Sequence, residues 1–347
     1  MLAAHGASWT VDDDVPQFAE PRDEIRAIAT GDALVDLSGL ALIRATGADA
    51  QAFLQGQLSN DIRAVDAGRS QLSSYSTPKG RMLAILRIFR RGDDYLLQLP
   101  GELAESVLKR LRMFVLRSKV VLEDTNGELA RFGLSGAGVT VLATNLFGQL
   151  PTATDGCMTR DDVTILALPG PVTRLEVIAP IDKAIALWDQ LATNLRPTGM
   201  AAWRWLDIEA GIPNVFQQTV EEFVPQMANL ELLGGVNFKK GCYPGQEIVA
   251  RMQYLGQLKQ RMYRAVVDTS DCPRPGEPLF TKEHGEQAAG KVVDSQPAPN
   301  GGCDLLAVIR LSEADSTAVH LGSLTGPTLG FKSLPYAVPV PASKSAG

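Results

Sequence analysis

The chain has 347 residues, of which 45% are hydrophobic and 21% are charged, and its formal net charge is −6. This length predicts two or three folding units of ordinary globular composition. The acidic balance excludes a general attraction to nucleic acid or to an anionic membrane, and no stretch is apolar for long enough to cross a bilayer. Residues 1–18 lack the basic start and apolar run of a secretory signal, which predicts a cytoplasmic protein.

The first part of the chain predicts an α+β unit with an antiparallel sheet. Alternating and apolar runs indicate strands at 39–47, 70–77, 82–91, 95–99 and 119–124, and helices at 48–58 and 102–116. The stretch "PKGR" at 78–81 puts a proline and a glycine between two such runs, which predicts a β-hairpin.

A second unit begins near residue 130 and repeats the order strand, turn, helix, strands, helix. The segments 45–58 and 134–150 are also similar in sequence: in both, a predicted strand ends in small residues and the segment ends in "GQL". This pattern predicts two related α+β halves. From residue 257 the short apolar runs broken by glycine and proline predict a small β-barrel or sandwich, and the tail 339–347 is expected to be disordered.

The cysteines and the basic segments give weaker signals. Four cysteines are widely spaced and form no CxxC or Cys/His cluster, which favours free thiols over a zinc site or a disulfide framework; they are Cys157, Cys242, Cys272 and Cys303. Basic residues recur at 86–91, 108–119 and 239–240, and for the second of these a solvated helix face is the favoured interpretation.

The stretch "KKGCYPGQEIVARM" at 239–252 places a cysteine before a turn and a helix. Proline and glycine in "YPGQ" predict a type II turn. A short helix is expected next, with Ile248, Met252 and Leu255 on one face and Gly256 as its stop.

Two interpretations of Cys242 follow from this position. A helix N-terminus together with Lys239, Lys240 and Arg251 favours a reactive or metal-ligating thiolate. The alternative is a small buried residue packed under the turn, and the residues alone favour that alternative.

Glu209 stands out in "WRWLDIEAGIP" at 203–213. It lies in the last turn of a predicted helix, the unfavourable end of the dipole for a carboxylate. A ligand with paired N–H donors would suit it, because one carboxylate accepts two parallel hydrogen bonds, and a plain surface glutamate is the alternative.

These stretches together resemble the YgfZ family. The string "KGCYPGQE" at 240–247 is similar to that family's characteristic K-G-C-[YF]-x-G-Q-E, and the likeness extends to "FLQGQLSND", "PKGRML" and "IEAGIP". The resemblance implies a tetrahydrofolate-binding protein that supports the assembly or repair of iron–sulfur enzymes, including enzymes that modify tRNA. It also implies a thiol function for Cys242 with Lys240, Tyr243, Gln246 and Glu247 around it. One cysteine cannot hold a cluster alone, so no resident metal is expected, and any cluster contact would be transient or shared with a partner or a second subunit.

The wider resemblance is to the glycine-cleavage T-protein, an aminomethyltransferase of three domains in a ring around a folate channel. It implies a fold of two α+β domains with antiparallel sheets plus a C-terminal β-barrel. The implied divisions are a first domain of 26–46 and 126–256 that carries the cysteine string, an inserted domain of 47–125, a barrel of 257–338, and extended or disordered tails at 1–25 and 339–347. Implied folate-binding residues are Glu209, Asn60, Asp61 and Arg251.

One departure separates the two relatives. The T-protein has acids in a "GG-x-x-DD" motif, and this chain has Leu83, Ala84 and Ile85 in the corresponding segment. An apolar side chain cannot stabilise a charge that develops on a folate amine. The transferase or a demethylase therefore remains as the alternative function, with Asp61 as its candidate acid. Direct tRNA binding by the basic segments is not expected.

Overall fold

A computed structural model describes residues 2–10, 13–254, 258–311 and 318–339. Its helices are α1 Pro21–Thr30, α2 Ala50–Gln57, α3 Ala104–Arg112, α4 Val139–Phe147, α5 Ile181–Leu191, α6 Met200–Ala210 and α7 Gln246–Tyr254. Its strands are β1 Ser8–Thr10, β2 Asp13–Gln17, β3 Ala33–Asp36, β4 Leu40–Thr46, β5 Gln71–Ser76, β6 Met82–Arg91, β7 Asp94–Pro100, β8 Val121–Asp124, β9 Leu129–Ser135, β10 Cys157–Arg160, β11 Val163–Ala167, β12 Arg174–Pro180, β13 Arg196–Thr198, β14 Gln260–Val267, β15 Pro278–Phe280, β16 Gly290–Pro297, β17 Cys303–Arg310, β18 His320–Leu321 and β19 Leu329–Lys332. In the described parts of the chain, no helix is long and apolar enough to span a membrane.

Two of the sheets share one topology. The five-stranded sheet has the order β5-β6-β7-β4-β8, and a six-stranded sheet has the order β10-β11-β12-β9-β3-β13. In each, a strand leads through a helix into three consecutive strands, the last of which pairs with the first. All the pairings are antiparallel except that of β13 with β3. The predicted pair of related α+β halves is therefore confirmed.

The third sheet forms the predicted C-terminal barrel. Its order is β18-β15-β16-β17-β14-β19, and the two ends meet because Leu329 N donates to Val319 O at 2.8 Å. The prediction of four free thiols is wrong here, since Cys272 and Cys303 form a disulfide. Antiparallel pairing sets Val267 opposite Cys303, which brings the loop after β14 beside the start of β17. This proximity depends on a long-range register that cysteine spacing does not reveal.

The structure differs from two of the predicted domain boundaries. Residues 40–46 were predicted to belong to the first domain, but β4 bonds to β7 and β8, so these residues lie in the five-stranded sheet. The segment 1–25 was predicted as an extended or disordered tail, but β1 pairs with β2, and α1 begins at Pro21 and buries Ile25. An apolar face on α1 explains its order, because it packs against α6. Most of the predicted disordered tail, residues 340–347, lies outside the described residues.

Helix α6 connects the first α+β unit to the barrel. It packs on β3 from one side and on β16 and β17 from the other. Two polar contacts fix this position: Trp205 Nε1 donates to Asp304 Oδ2 at 2.9 Å, and Arg204 forms an ion pair with Asp294. From the last turn of α6 onward, residues 208–249 contribute apolar side chains to the core of the five-stranded sheet, including Ile208, Phe223 and Val249. The cysteine string therefore packs with the inserted sheet.

Candidate functional site

The turn before α7 has the predicted geometry. Gln246 N donates to Tyr243 O at 3.1 Å, and Gly245 has a φ of +83°, as the third position of a type II turn requires. Helix α7 begins directly at Gln246. The local chemistry of proline and glycine thus places Cys242 one residue before a tight reversal.

This turn packs against the β5–β6 hairpin turn. A Cβ added to Gly245 would lie 2.6 Å from both Gly80 Cα and Thr77 O. Gly80 itself has a φ of +72°, and a Cβ there would lie 3.1 Å from Ile248 Cβ. Two glycine turns from distant parts of the chain therefore meet with no room for a side chain. This contact fixes residues 239–252, the cysteine segment, to the five-stranded sheet.

The close approach at Gly245 gives a stability prediction. Gly245→Ala should lower the free energy of unfolding by about 2 kcal/mol or more, because the new methyl clashes with backbone and the φ is unfavourable for alanine. Gly241→Ala is the matched control, since nothing lies within 4 Å of an added Cβ there. Urea denaturation of both variants measures the difference; equal stabilities would show that the two turns do not pack as described.

The predicted apolar face of α7 needs a correction. Val249 is its buried residue, whereas Ile248 is 38% exposed, and Leu255 and Gly256 lie outside the described residues. The reason is the direction of the turn: Val249 enters the core of the five-stranded sheet, and its carbonyl accepts a 2.7 Å hydrogen bond from Gln226 Nε2. Periodicity identified the helix but selected the wrong side of it.

Lys240 anchors the cysteine segment to the C-terminal end of α2. Its Nζ donates to the carbonyls of Gln55, at 2.5 Å, and Leu58, which lie at the C-terminal end of α2. The same Nζ lies 4.8 Å from the centre of the Tyr243 ring. Burial lowers the pKa of Lys240 to about 8 and raises that of Tyr243 to about 12. Both residues are thus buried supports for the turn.

Cys242 lies between these two buried residues and is itself exposed. The interpretation of Cys242 as a buried packing residue is therefore wrong; the other free thiol, Cys157, is the buried one. Asp61 and Arg63 also lie close enough to Lys240 to affect its pKa, Asp61 raising it and Arg63 lowering it. The arrangement presents one solvent-facing thiol on a rigid support beside a buried cation.

Asn60 and Asp61 lie near this thiol but already have partners. Asn60 is buried, and its Nδ2 donates to Leu72 O at 2.8 Å and to Gly234 O at 2.6 Å. Asp61 forms a 2.7 Å ion pair with Arg63, whose hydrogen bonds hold the pKa of that carboxyl at about 2. Asn60 is therefore a structural link to residue 234, and Asp61 stays ionised at neutral pH.

The remaining predicted residues of α7 face outward. Gln246 is half-buried, and Glu247 and Arg251 are exposed. Within the described parts of the chain, neither Glu247 nor Arg251 forms a side-chain hydrogen bond or an ion pair. They are available to a partner molecule.

Glu209 lies in a separate place. It lines a cavity of about 550 Å³ between α6 and the barrel, and the walls of this cavity contain no residue of the cysteine segment. Glu209 Oε1 is 2.8 Å from Arg264 Nη2, and burial raises the pKa of this carboxyl. Trp205, one turn earlier on α6, and Lys332 line the same cavity. The predicted site residues thus form two groups, one around Cys242 and one around Glu209.

Comparisons with known proteins agree with this architecture. The sequence model of the GCVT N-terminal domain family matches residues 11–240. The tRNA-modifying protein YgfZ of Yersinia pestis (strain Pestoides F) is 31% identical over 306 residues, which cover 88% of this chain and 92% of that protein. The chain belongs to the YgfZ family.

Other relatives agree with membership of the YgfZ family. YgfZ of Yersinia enterocolitica, also described as tRNA-modifying, is 29% identical over 306 residues, or 88% of this chain and 92% of that protein. Among solved structures, the glycine cleavage system aminomethyltransferase T of Bartonella henselae matches with a TM-score of 0.79 over 96% of this chain and 95% of that protein. At 20% identity this match shows the fold alone, and it confirms the predicted T-protein-like architecture.

Sequence analysis of this YgfZ-family chain did not identify two arginines that pair with predicted site residues. Arg264 pairs with Glu209 of α6 but lies 55 positions later, in β14 of the barrel, so no local signal connects them. Arg63 follows Asp61 by two positions, and this spacing could have suggested the ion pair. Among the described residues, no three potential ligands from His, Cys, Asp and Glu lie close enough together to hold a metal ion.

Proposed function

We propose that this chain binds tetrahydrofolate or a derivative and supports the assembly or repair of iron–sulfur enzymes in the cytoplasm, with Cys242 as its functional thiol. The observation that carries the proposal is the exposed thiol on a turn whose flanking residues, Lys240 and Tyr243, are buried and fixed. A free cysteine kept for packing would be buried, as Cys157 is. A thiolate suits iron–sulfur chemistry, but one cysteine cannot hold a cluster alone, so any cluster contact is transient and shared with a client protein.

The Glu209 cavity fits the pterin ring of a folate. Its volume of about 550 Å³ is that of a small-ligand site. Glu209 offers a carboxylate to the paired N–H donors of the pterin amide edge. Arg264 offers donors to the adjacent carbonyl oxygen, since its Nε is buried without a hydrogen-bond partner among the described residues. Trp205 supplies an aromatic wall. Bound folate would supply a one-carbon carrier or a reductant.

The aminomethyltransferase alternative lacks its acid. Ala84 and Ile85 are buried in the core of the five-stranded sheet, and Leu83 packs against that core. Asp61, the replacement candidate, has a pKa of about 2 and is therefore a weak base that stays ionised at neutral pH. General acid–base catalysis needs a pKa near the operating pH. These features favour an accessory factor over a transferase.

The link to tRNA in this proposal is indirect. The relatives are described as tRNA-modifying. The net charge of −6 gives the chain no general attraction to nucleic acid. We therefore attribute the connection to client enzymes that modify tRNA and contain iron–sulfur clusters.

Complementation of a strain that lacks its own YgfZ protein tests the proposal. The chain should restore the activity of an iron–sulfur tRNA-modifying enzyme, measured as the modified-nucleoside content of bulk tRNA. The purified chain should release no formaldehyde equivalents from aminomethyl or methylamine substrates in the presence of tetrahydrofolate. Turnover that disappears in Asp61→Asn would instead establish the transferase alternative, and failure to restore the modification would count against the accessory role.

A further inference from the structure

A second surface of the five-stranded sheet presents apolar and basic side chains together. Directly after α3 the chain exposes Met113 (58%), Phe114 (43%) and Leu116 (87%), and Val121 at the start of β8 is 53% exposed. The same segment also exposes four cations; they are Lys109, Arg112, Arg117 and Lys119. We call these eight residues the apolar–basic patch. The sequence predicted one helix over 102–116, but α3 ends at Arg112, and its buried residues are Val107, Leu108 and Leu111.

The patch is held in a fixed and strained shape. Leu116 has a φ of +47°, a left-handed conformation that is unfavourable for leucine. Arg112 donates through Nε and Nη2 to Leu122 O, at 3.0 and 2.6 Å, and thereby ties the turn to β8. A non-glycine residue in this conformation that projects an apolar side chain into solvent is a mark of function rather than of folding.

Helix α2 connects the patch to the thiol. At its N-terminal end, Asp49 Oδ2 accepts a 2.7 Å hydrogen bond from Lys119 N, and at its C-terminal end Lys240 holds the carbonyls of Gln55 and Leu58. At about 1.5 Å per residue, positions 49 and 58 are roughly 13 Å apart. The patch and the cysteine segment therefore contact opposite ends of one short helix, and Cys242 is exposed.

We propose that the apolar–basic patch docks the client protein, through a client surface with an apolar cleft rimmed by aspartate and glutamate. This inference rests on the proposed function and names the partner surface for the thiol. Charge complementarity supports it, because four exposed cations cluster here on a chain whose net charge is −6. Nucleic acid would not use the four apolar side chains, and a membrane surface would need a larger apolar face than this one.

Binding of a purified apo iron–sulfur enzyme, chosen because its activity in cells depends on this chain, tests the inference. Phe114→Ser with Leu116→Ser, and separately Arg117→Glu with Lys119→Glu, should each raise the dissociation constant by about tenfold or more, as loss of interface anchors does. Val141→Ser on α4, where Val141 is 68% exposed, is the matched apolar control and should leave affinity unchanged. Bulk tRNA and phosphatidylserine vesicles serve as the other two probes.

The outcomes separate the two proposals. Unchanged client affinity in both patch variants, or loss of tRNA or vesicle binding in place of client binding, would overturn the docking inference. Cys242→Ser should bind the client normally and yet fail to support its activity in cells. If Cys242→Ser supports that activity while the patch variants lose binding, the proposed thiol function fails and the docking surface stands.

Discussion

Cys242→Ser should abolish support of iron–sulfur enzymes in cells while leaving the fold intact. The thiol is exposed, so its removal costs no buried contact, and the free energy of unfolding should change by less than about 0.5 kcal/mol. Serine keeps the size and polarity of the side chain but has no thiolate to bind iron or exchange with a disulfide. The modified-nucleoside content of bulk tRNA in a complemented strain should fall to that of the empty vector.

The other free cysteine provides the control for this experiment. Cys157 is buried between the two α+β sheets, where burial raises the pKa of its thiol to about 12. Cys157→Ala should support the client enzymes as the wild type does, apart from a modest loss of stability. Full support by Cys242→Ser would contradict the thiol function, and loss of support by both variants at normal protein levels would show that Cys242 has no special role.

Glu209→Ala should weaken tetrahydrofolate binding by at least about 100-fold. The carboxylate is expected to accept two charge-assisted hydrogen bonds from the pterin edge, and each such bond contributes about 1.5–3 kcal/mol. Trp205 lines the same cavity, so quenching of its fluorescence by the pterin provides the titration signal. Glu209→Gln should bind with intermediate affinity, because an amide keeps one acceptor but carries no charge.

A second interdomain ion pair controls for stability. Glu222 pairs with Lys291 of the barrel at 2.7 Å and does not line the Glu209 cavity. Glu222→Ala should therefore retain folate affinity while losing a more exposed ion pair to the barrel. Wild-type affinity in Glu209→Ala would show that the cavity does not hold the pterin edge, and equal weakening in both variants would assign the effect to the barrel interface.

Much of the fold follows from local patterns in the sequence. Alternation and turn chemistry predicted the hairpin at 78–81, the type II turn at 243–246 and the two related halves, because each depends on residues close together in the chain. The errors arose where distant residues decide. Pairing with β7 moved residues 40–46 into the inserted sheet, and the register of β14 with β17 joined Cys272 to Cys303.

The site was predictable as a set of residues but not as an arrangement. The motif string identified Cys242, and turn chemistry gave its position before α7, but only the structure distinguishes an exposed thiol from a packed one. The family resemblance also placed Glu209 and Cys242 in one implied domain. The structure places Glu209 against Arg264 of the barrel instead, a pairing that depends on how α6 packs.

Calorimetric titration of tetrahydrofolate into the wild type and Cys242→Ser, side by side, tests the central claim most directly. That claim is that one chain holds folate and a functional thiol in two different places. The account predicts that both proteins bind with the same affinity, because no residue of the cysteine segment lines the Glu209 cavity. Loss of folate affinity in Cys242→Ser, or no binding by the wild type, would contradict it.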